Sequence, residues 1–174
     1  MTGPLDFPSN VESLYVVARK INDFMPMHMY NLTVEALSRA GKKLNGAKVA
    51  ILGWAFLNNS DDTRNTPSEP YYLKIIEQGA KVSVHDPYVS ESSAIKITLD
   101  IEEALKDATA VVIFTGHKQY FEFKAGKIRK LTGLRHPVII DGRNVIDPDA
   151  FIKEGFIYRG IGRGDKNNHE IRSS

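Results

Sequence analysis

The chain has 174 residues, of which 42% are hydrophobic and 25% charged, so it can form one folded domain with a substantial core. The sequence contains no cysteine; this excludes disulfides, cysteine nucleophiles and thiolate metal sites and is compatible with a cytoplasmic location, which we expect. A net charge of +2 with interleaved signs argues against a nucleic-acid-binding module. The longest apolar run, near residues 110–114, is too short for a membrane span, and no secretory signal is expected.

The first 46 residues are predicted to form a long helical arm. Ser9 and Glu12 have the spacing of a capping box, and apolar residues recur at helical spacing as far as Gly41, the expected terminator. Pro26 is expected to kink or restart the helix. A continuous helix here would span about 48 Å at 1.5 Å per residue, so we expect the arm to extend beyond its own domain. A second subunit or another domain would then cover its apolar stripe.

Residues 47–174 are predicted to form an α/β domain. Helices are predicted at 67–78, 100–107, 124–131 and 151–154, the first opened by a second capping box, Thr66 to Glu69, with Pro67 as its first helical residue. Strands are predicted at 48–52, 81–85, 95–98, 110–115, 137–140 and 156–158. This alternation predicts a Rossmann-like parallel sheet with helices on both faces. The tail from residue 160 is expected to be poorly ordered towards its end.

The loop of residues 53–67 (GWAFLNNSDDTRNTP) is the first candidate binding segment, because ligands of open α/β sheets bind at the carboxyl ends of strands. It is long for a connection between a strand and a helix, which favours a functional loop over an irregular surface loop. It is not the dinucleotide fingerprint. Gly53 is followed by Ala55 and Asn58 at the positions where that pattern requires glycines.

Two further segments follow strand ends. In residues 141–144 (DGRN), Arg143 suits recognition of a phosphate or carboxylate; a structural arginine paired with Asp141 or Asp147 is the alternative. In residues 85–87 (HDP), Asp86 suits a ribose hydroxyl, although Asp-Pro is also an ordinary turn signal, which we favour.

Other polar and aromatic residues leave alternatives open. Asp61 and Asp62 are adjacent on the loop, and Arg64 is either their ion-pair partner or a ligand for an anion. Trp54 and Phe56 either stack on a flat base or belong to the core. The five histidines have no metal-ligand spacing, so we expect no metal site; they are His28, His85, His117, His136 and His169.

Residues 48–70 and 79–89 (KVAILGWAFLNNSDDTRNTPSEP and GAKVSVHDPYV) closely resemble the C-terminal nucleotide-sugar-binding domain of the UDP-glucose/GDP-mannose 6-dehydrogenase family. The family pattern there is a strand, G-x-A-F-K-x-x-(S/T)-x-D-x-R-x-(S/T)-P, a helix, a strand and D-P. Residues 141–143 match its later D-x-R element. Residues 18–26 (ARKINDFMP) resemble the end of the family's central dimerisation helix. The N-D-x-x-P and D-P-Y-V elements are most similar to the branch acting on UDP-N-acetylhexosamines.

The resemblance implies part of an NAD-dependent, four-electron oxidation of the C6 alcohol of a UDP-sugar to the uronate. It also implies a homodimer formed through the N-terminal helix. It places Phe56 near the uracil, Arg64 near NAD and Arg143 on the substrate. Leu57 occupies the position of a family lysine near the substrate, so a charged contact there is lost.

The resemblance further implies that NAD is bound mainly by an N-terminal domain and that a cysteine carries the covalent step, and this sequence contains neither. We therefore expect no catalytic residue in this chain and no dehydrogenase activity from it alone. The alternatives are a standalone, non-catalytic nucleotide-binding or dimerisation module and a purely structural α/β domain.

Overall fold

The computed structural model describes residues 13–90, 92 and 95–167, which form one parallel sheet with helices on both faces. The strands are β1 (Lys48–Leu52), β2 (Lys81–His85), β3 (Ile97–Thr98), β4 (Ala110–Ile113), β5 (Val138–Asp141) and β6 (Ile157–Gly160). The helices are α1 (Leu14–Arg39), α2 (Ser68–Glu77), α3 (Ile101–Leu105), α4 (Ala125–Thr132) and α5 (Pro148–Lys153), with a 3₁₀ helix at Lys118–Glu122. The predicted Rossmann-like fold is confirmed.

The strand order is β3-β2-β1-β4-β5-β6, and every pair is parallel. This is the doubly wound order, in which the connections after the neighbouring strands β1 and β4 run to opposite faces of the sheet and leave a crevice at the carboxyl ends of those strands. The central strands are buried on both faces, as expected when helices cover a parallel sheet. Loops after β1, β2, β4 and β5 therefore meet at one edge, which we call the carboxyl edge.

The two halves of α1 differ in burial. Its C-terminal half belongs to the core beneath one face of the sheet, where Met29, Ala36 and Leu37 are fully buried. The Thr33 hydroxyl lies 2.9 Å from the Tyr71 hydroxyl and joins α1 to α2. The N-terminal half instead exposes large apolar side chains, namely Leu14, Tyr15, Ile21 and Phe24.

Several boundaries differ from the predictions. Helix α1 continues through Pro26 rather than restarting there, and Gly41 ends it with φ +66°. Helix α2 begins at Ser68 instead of Pro67, because the Thr66 hydroxyl accepts from the Ser68 amide at 3.3 Å and closes a local turn. The Ser9–Glu12 capping box lies outside the described residues, and so do His169 and the end of the tail.

Among the described residues, no helix is both long and apolar enough to cross a membrane. In the same part of the chain, no group of three or more His, Cys, Asp or Glu side chains is placed to hold a metal ion.

Candidate functional site

The long loop after β1 begins at a position that only glycine can occupy. Gly53 has φ +94°, and a Cβ there would lie 2.5 Å from the Cβ of Thr115. The close approach lets the Thr115 hydroxyl donate to the Ala55 carbonyl at 2.5 Å. On the other side of the turn, the Ser68 hydroxyl donates to the Gly53 carbonyl at 2.7 Å. The loop is therefore fixed to both β4 and α2 at its start.

The Asp86 carboxylate at the end of β2 is fully buried and holds the same loop. Its Oδ2 accepts the amides of Trp54 and Ala55 at 2.7 and 2.8 Å, and its Oδ1 accepts those of Tyr88 and Val89. Burial alone favours the neutral acid, but hydrogen bonds from His117 and from backbone amides lower the pKa of Asp86. The carboxylate is fully occupied by the protein, so the role on a ribose hydroxyl is not available to it.

His117 extends this buried group to the middle of the loop. Its Nδ1 accepts the Asn59 amide at 2.9 Å, so the proton of the neutral ring is on Nε2, which donates to Asp86 at 3.0 Å. Asn59 has φ +55°, a left-handed conformation that asparagine tolerates better than most residues. We call Asp86 and His117, which are both fully buried, the buried network.

A cavity of about 460 Å³ lies between α1 and the loops after β1 and β5. Three sequence-predicted site residues line it, namely Phe56, Leu57 and Arg143. Phe56 and Leu57 are about half exposed, at 45% and 51%. Most other lining groups are apolar: Met29 is in α1, Pro67 and Pro70 are at the start of α2, and Phe114 directly follows β4.

Arg143 is the charged group of the cavity wall after β5. Its Nη2 donates to Asn58 Oδ1 at 3.3 Å, and that oxygen also accepts the Gly116 amide at 2.9 Å. Asp141 does not pair with the guanidinium; its carboxylate accepts the backbone amides of Arg143, Val145 and Ile146. Among the described residues no carboxylate forms an ion pair with Arg143; Asp23 of α1, which pairs with Arg19, is the other charged residue of the cavity wall. Asp147 instead caps α5.

Gly142 allows α1 to approach the site. A Cβ at this position would lie 2.8 Å from the Ile113 carbonyl oxygen and 2.9 Å from Met29 Cε. Met29 is fully buried and also lines the cavity. The glycine of the DGR element is therefore needed for the contact between the end of β5 and the helix.

Arg64 lies outside the cavity. Its Nε and Nη2 donate to the two carboxylate oxygens of Asp62 at 2.9 and 2.8 Å, and its side chain is 86% exposed. This pairing lowers the pKa of Asp62 to about 2. Asp61 takes no part in this pair, so the two adjacent carboxylates do not act together.

Trp54 belongs to the core rather than to a base-stacking surface. It is 3% exposed and packs edge-on against Tyr72, with ring centroids 5.7 Å apart. Phe56 differs from Trp54, because it is half exposed and lines the cavity.

Sequence reasoning missed Asn58, Asn59, His117 and the contribution of α1. The Asn-Asn pair was a usable local signal, since asparagine often takes left-handed turns and bonds to nearby backbone groups. Nothing local indicates that Asn58 meets Arg143, 85 residues later.

Comparison with known proteins gives a consistent result for most of the chain. Residues 50–148 match the UDP-glucose/GDP-mannose dehydrogenase family, UDP binding domain. A UDP-N-acetyl-D-mannosamine dehydrogenase of Pyrococcus horikoshii is 39% identical over 150 residues, covering 86% of this chain and 33% of the relative. A UDP-glucose 6-dehydrogenase of Rhizobium meliloti is 32% identical over 137 residues, covering 75% of this chain and 31% of the relative.

Solved structures agree with the sequence relatives. The NDP-N-acetyl-D-galactosaminuronic acid dehydrogenase of Methanosarcina mazei superposes with a TM-score of 0.91 at 54% identity, over 98% of this chain and 36% of that one. The UDP-D-ManNAc dehydrogenase of Pyrococcus horikoshii gives a TM-score of 0.75 at 36% identity, over 90% of this chain and 36% of that one. The chain thus spans about a third of the length of these relatives.

Proposed function

Because this chain belongs to the UDP-glucose/GDP-mannose dehydrogenase family, we propose that it is the substrate-nucleotide-binding part of an NAD-dependent dehydrogenase that oxidises a UDP-sugar at C6. The observation that carries the proposal is Arg143, which lines the cavity and whose guanidinium has, among the described residues, only the neutral Asn58 as a side-chain partner. An arginine with such a neutral partner beside apolar walls suits a ligand that combines a diphosphate with a flat or sugar ring.

The proposed roles follow the positions of the side chains. Arg143 would bind the diphosphate, and Phe56 would pack near the uracil. Leu57 offers apolar surface where the family has a lysine, so Arg143 would be the cation that binds the charged diphosphate. A UDP-N-acetylhexosamine is the proposed substrate, because the relatives named above include UDP-N-acetyl-D-mannosamine dehydrogenases.

The carboxyl edge itself does not fit a dinucleotide. The Trp54 and Ala55 amides, which follow β1 where a pyrophosphate would need free donors, are taken by Asp86. NAD is therefore assigned to a part of the enzyme outside this chain. Arg64, exposed and held by Asp62, is proposed as its contact from this side. We expect no NAD reduction by this chain alone with any UDP-sugar, measured by absorbance of NADH.

Isothermal titration with UDP and a UDP-N-acetylhexosamine tests the binding proposal. The chain should bind both weakly, and Arg143→Ala should lower the affinity at least tenfold, since a charge-assisted contact is worth about 1.5–3 kcal/mol. Arg64→Ala is the matched control, because that guanidinium lies outside the cavity. Equal binding by Arg143→Ala and the unsubstituted chain would contradict the site.

We also propose that the chain forms a homodimer through α1. The N-terminal half of the helix exposes Leu14, Tyr15, Ile21 and Phe24, a set of side chains that gains from burial. Light scattering should give twice the chain mass, and Ile21→Asp should shift it towards the monomer. A monomer at high concentration would contradict this proposal. Cytoplasmic location likewise stays a prediction.

A further inference from the structure

The side chain of Asn58 connects the loops that follow β1, β4 and β5. It belongs to the loop after β1, and its Oδ1 accepts the Gly116 amide at 2.9 Å and Arg143 Nη2 at 3.3 Å. Both partners are donors, so the side-chain amide must present its oxygen to them and not its nitrogen. The oxygen therefore lies between a backbone group after β4 and the charged side chain after β5.

The loop after β4 holds this oxygen in place. A Cβ at Gly116 would lie 3.3 Å from Asn58 Oδ1, so the glycine allows the close contact between the two loops. Asn59 is held by the next two residues, because its amide donates to His117 Nδ1 and its Oδ1 accepts the Lys118 amide, both at 2.9 Å. Three consecutive residues of one loop thus bind two consecutive residues of the other.

We propose that Asn58 is a positioning residue for Arg143 in the binding of the ligand's diphosphate. The described residues that line the cavity include Arg143 and do not include Asn58, so Asn58 acts through the arginine and not by contact with the ligand. Arginine has five N–H donors, of which the bond to Asn58 uses one and leaves four for phosphate oxygens. This inference rests on the proposed function, because it assigns a support to a residue of the same site.

The Asn58 amide combines two properties that suit this task. An arginine side chain is long and has many rotamers, so a ligand that must first order it binds more weakly. An acceptor that is already fixed removes part of this cost. Asn58 is also neutral, so it orders the guanidinium without pairing its charge. Arg64 has the opposite arrangement, since the carboxylate of Asp62 binds it as an ion pair.

Two substitutions of Asn58 separate the order of Arg143 from its charge. Asn58→Ala removes the acceptor and leaves the charge unpaired, so the arginine should become more mobile and UDP should bind about fivefold more weakly. Asn58→Asp keeps an acceptor but pairs the charge, so the arginine should stay ordered while the affinity falls about tenfold. NMR relaxation of the arginine Nε–H groups measures the mobility without ligand, and a UDP titration followed in the same spectra measures the affinity.

Arg163 and Asn144 provide the matched control. The Arg163 Nε donates to Asn144 Oδ1 at 2.8 Å, and glycine suits the left-handed backbone of Asn144, whose φ is +56°. Asn144→Gly should therefore make Arg163 more mobile and change the affinity for UDP less than twofold. A double variant gives a second control. Asn58→Ala should cost little further affinity once Arg143→Ala is present, because the group through which Asn58 acts is gone.

Four results would overturn the inference. The first is unchanged mobility of Arg143 in Asn58→Ala. The second is full affinity for UDP in Asn58→Ala while Arg143→Ala loses binding, which would leave the proposed function intact. The third is a further fivefold loss when Asn58→Ala is added to Arg143→Ala, which would indicate a structural role of the loop.

The fourth is an equal loss of affinity in Asn144→Gly, which would assign the effect to the loop after β5 as a whole. If the unsubstituted chain does not bind UDP, the proposed function fails and this inference fails with it.

Discussion

Two regions of the carboxyl edge use charged groups in opposite ways. In the buried network, both oxygens of Asp86 and both ring nitrogens of His117 have partners from the protein. At the cavity, the Arg143 guanidinium bonds only to the Asn58 oxygen within the part of the chain that the structure describes. Both regions lie at the ends of parallel strands, where this fold binds ligands. We infer that hydrogen-bond satisfaction, and not position in the fold alone, separates the half that the protein fills from the half that we propose binds a ligand.

The largest expected effect is on the buried network. Asp86→Ala should lower the free energy of unfolding by about 3 kcal/mol, because four backbone amides and His117 lose a buried acceptor. Urea denaturation with a constant slope provides the measurement. Asp62→Ala is the control on the same loop, since its exposed pair with Arg64 should matter much less. A similar loss of unfolding free energy in both variants would contradict the special role assigned to the buried network.

The second expected effect concerns the joint between the cavity and α1. Gly142→Ala should cost about 2 kcal/mol, because the new methyl group meets the Ile113 carbonyl and Met29 at less than 3 Å. Gly126→Ala is the control: nothing lies within 4 Å of the added Cβ, and the residue is in α4. That change should be neutral or slightly stabilising, since alanine favours helix. A tolerated Gly142→Ala would mean that Met29 can move away, and the cavity wall would be less fixed than the structure suggests.

Most of the fold could be predicted from the sequence, because its signals are local. The strands β1 and β2 begin and end where the apolar runs and following turns place them, and Gly41 and Gly79 terminate helices with positive φ. Helix α2 begins one residue later than predicted, because the Thr66 hydroxyl bonds only two residues ahead. A helix start at Pro67 and one at Ser68 use the same residue types, so the sequence pattern does not distinguish them.

The site could be predicted only in part. Arg143, Phe56 and Leu57 were found because each follows a strand or matches a motif, and all three line one cavity. The contacts that define their surroundings join distant parts of the chain, as Asn58 does with Arg143 and Met29 with Gly142. No periodicity or turn signal encodes such pairs, since they depend on how loops from separate strands meet.

The third effect is on the charge of the cavity. Asn58→Asp places a carboxylate beside Arg143 and should reduce the affinity for UDP about tenfold, because the new ion pair competes with the phosphate. Asn65→Asp adds the same charge to the cavity wall at another position and should have a smaller effect. Calorimetric titration of both variants gives the comparison. Equal losses would indicate a general field of negative charge rather than the pairing of Arg143.

The smallest expected effect is a pH dependence of the free energy of unfolding, caused by the buried His85. His85 is fully buried, and its Nδ1 lies 2.8 Å from the Tyr120 hydroxyl; Asp86, His117 and Asp100 are the charged or titratable groups nearby. Burial lowers the pKa of His85 below its ordinary value of 6.5, so the unfolded chain takes up this proton more readily than the folded one. The free energy of unfolding should therefore fall as the pH drops below about 6.5, by at most about 1.4 kcal/mol per pH unit.

Denaturant unfolding between pH 7.5 and 5 measures this slope. Titration of Asp86 does not contribute in this pH range. Its pKa is lowered from 3.8, so its stabilising contribution is lost only at more acidic pH. His85→Gln should flatten the dependence even though it lowers stability at every pH, whereas His136→Gln, at an exposed position, should leave the slope largely unchanged. A slope that survives His85→Gln would assign the pH dependence to another group and would separate it from the buried network.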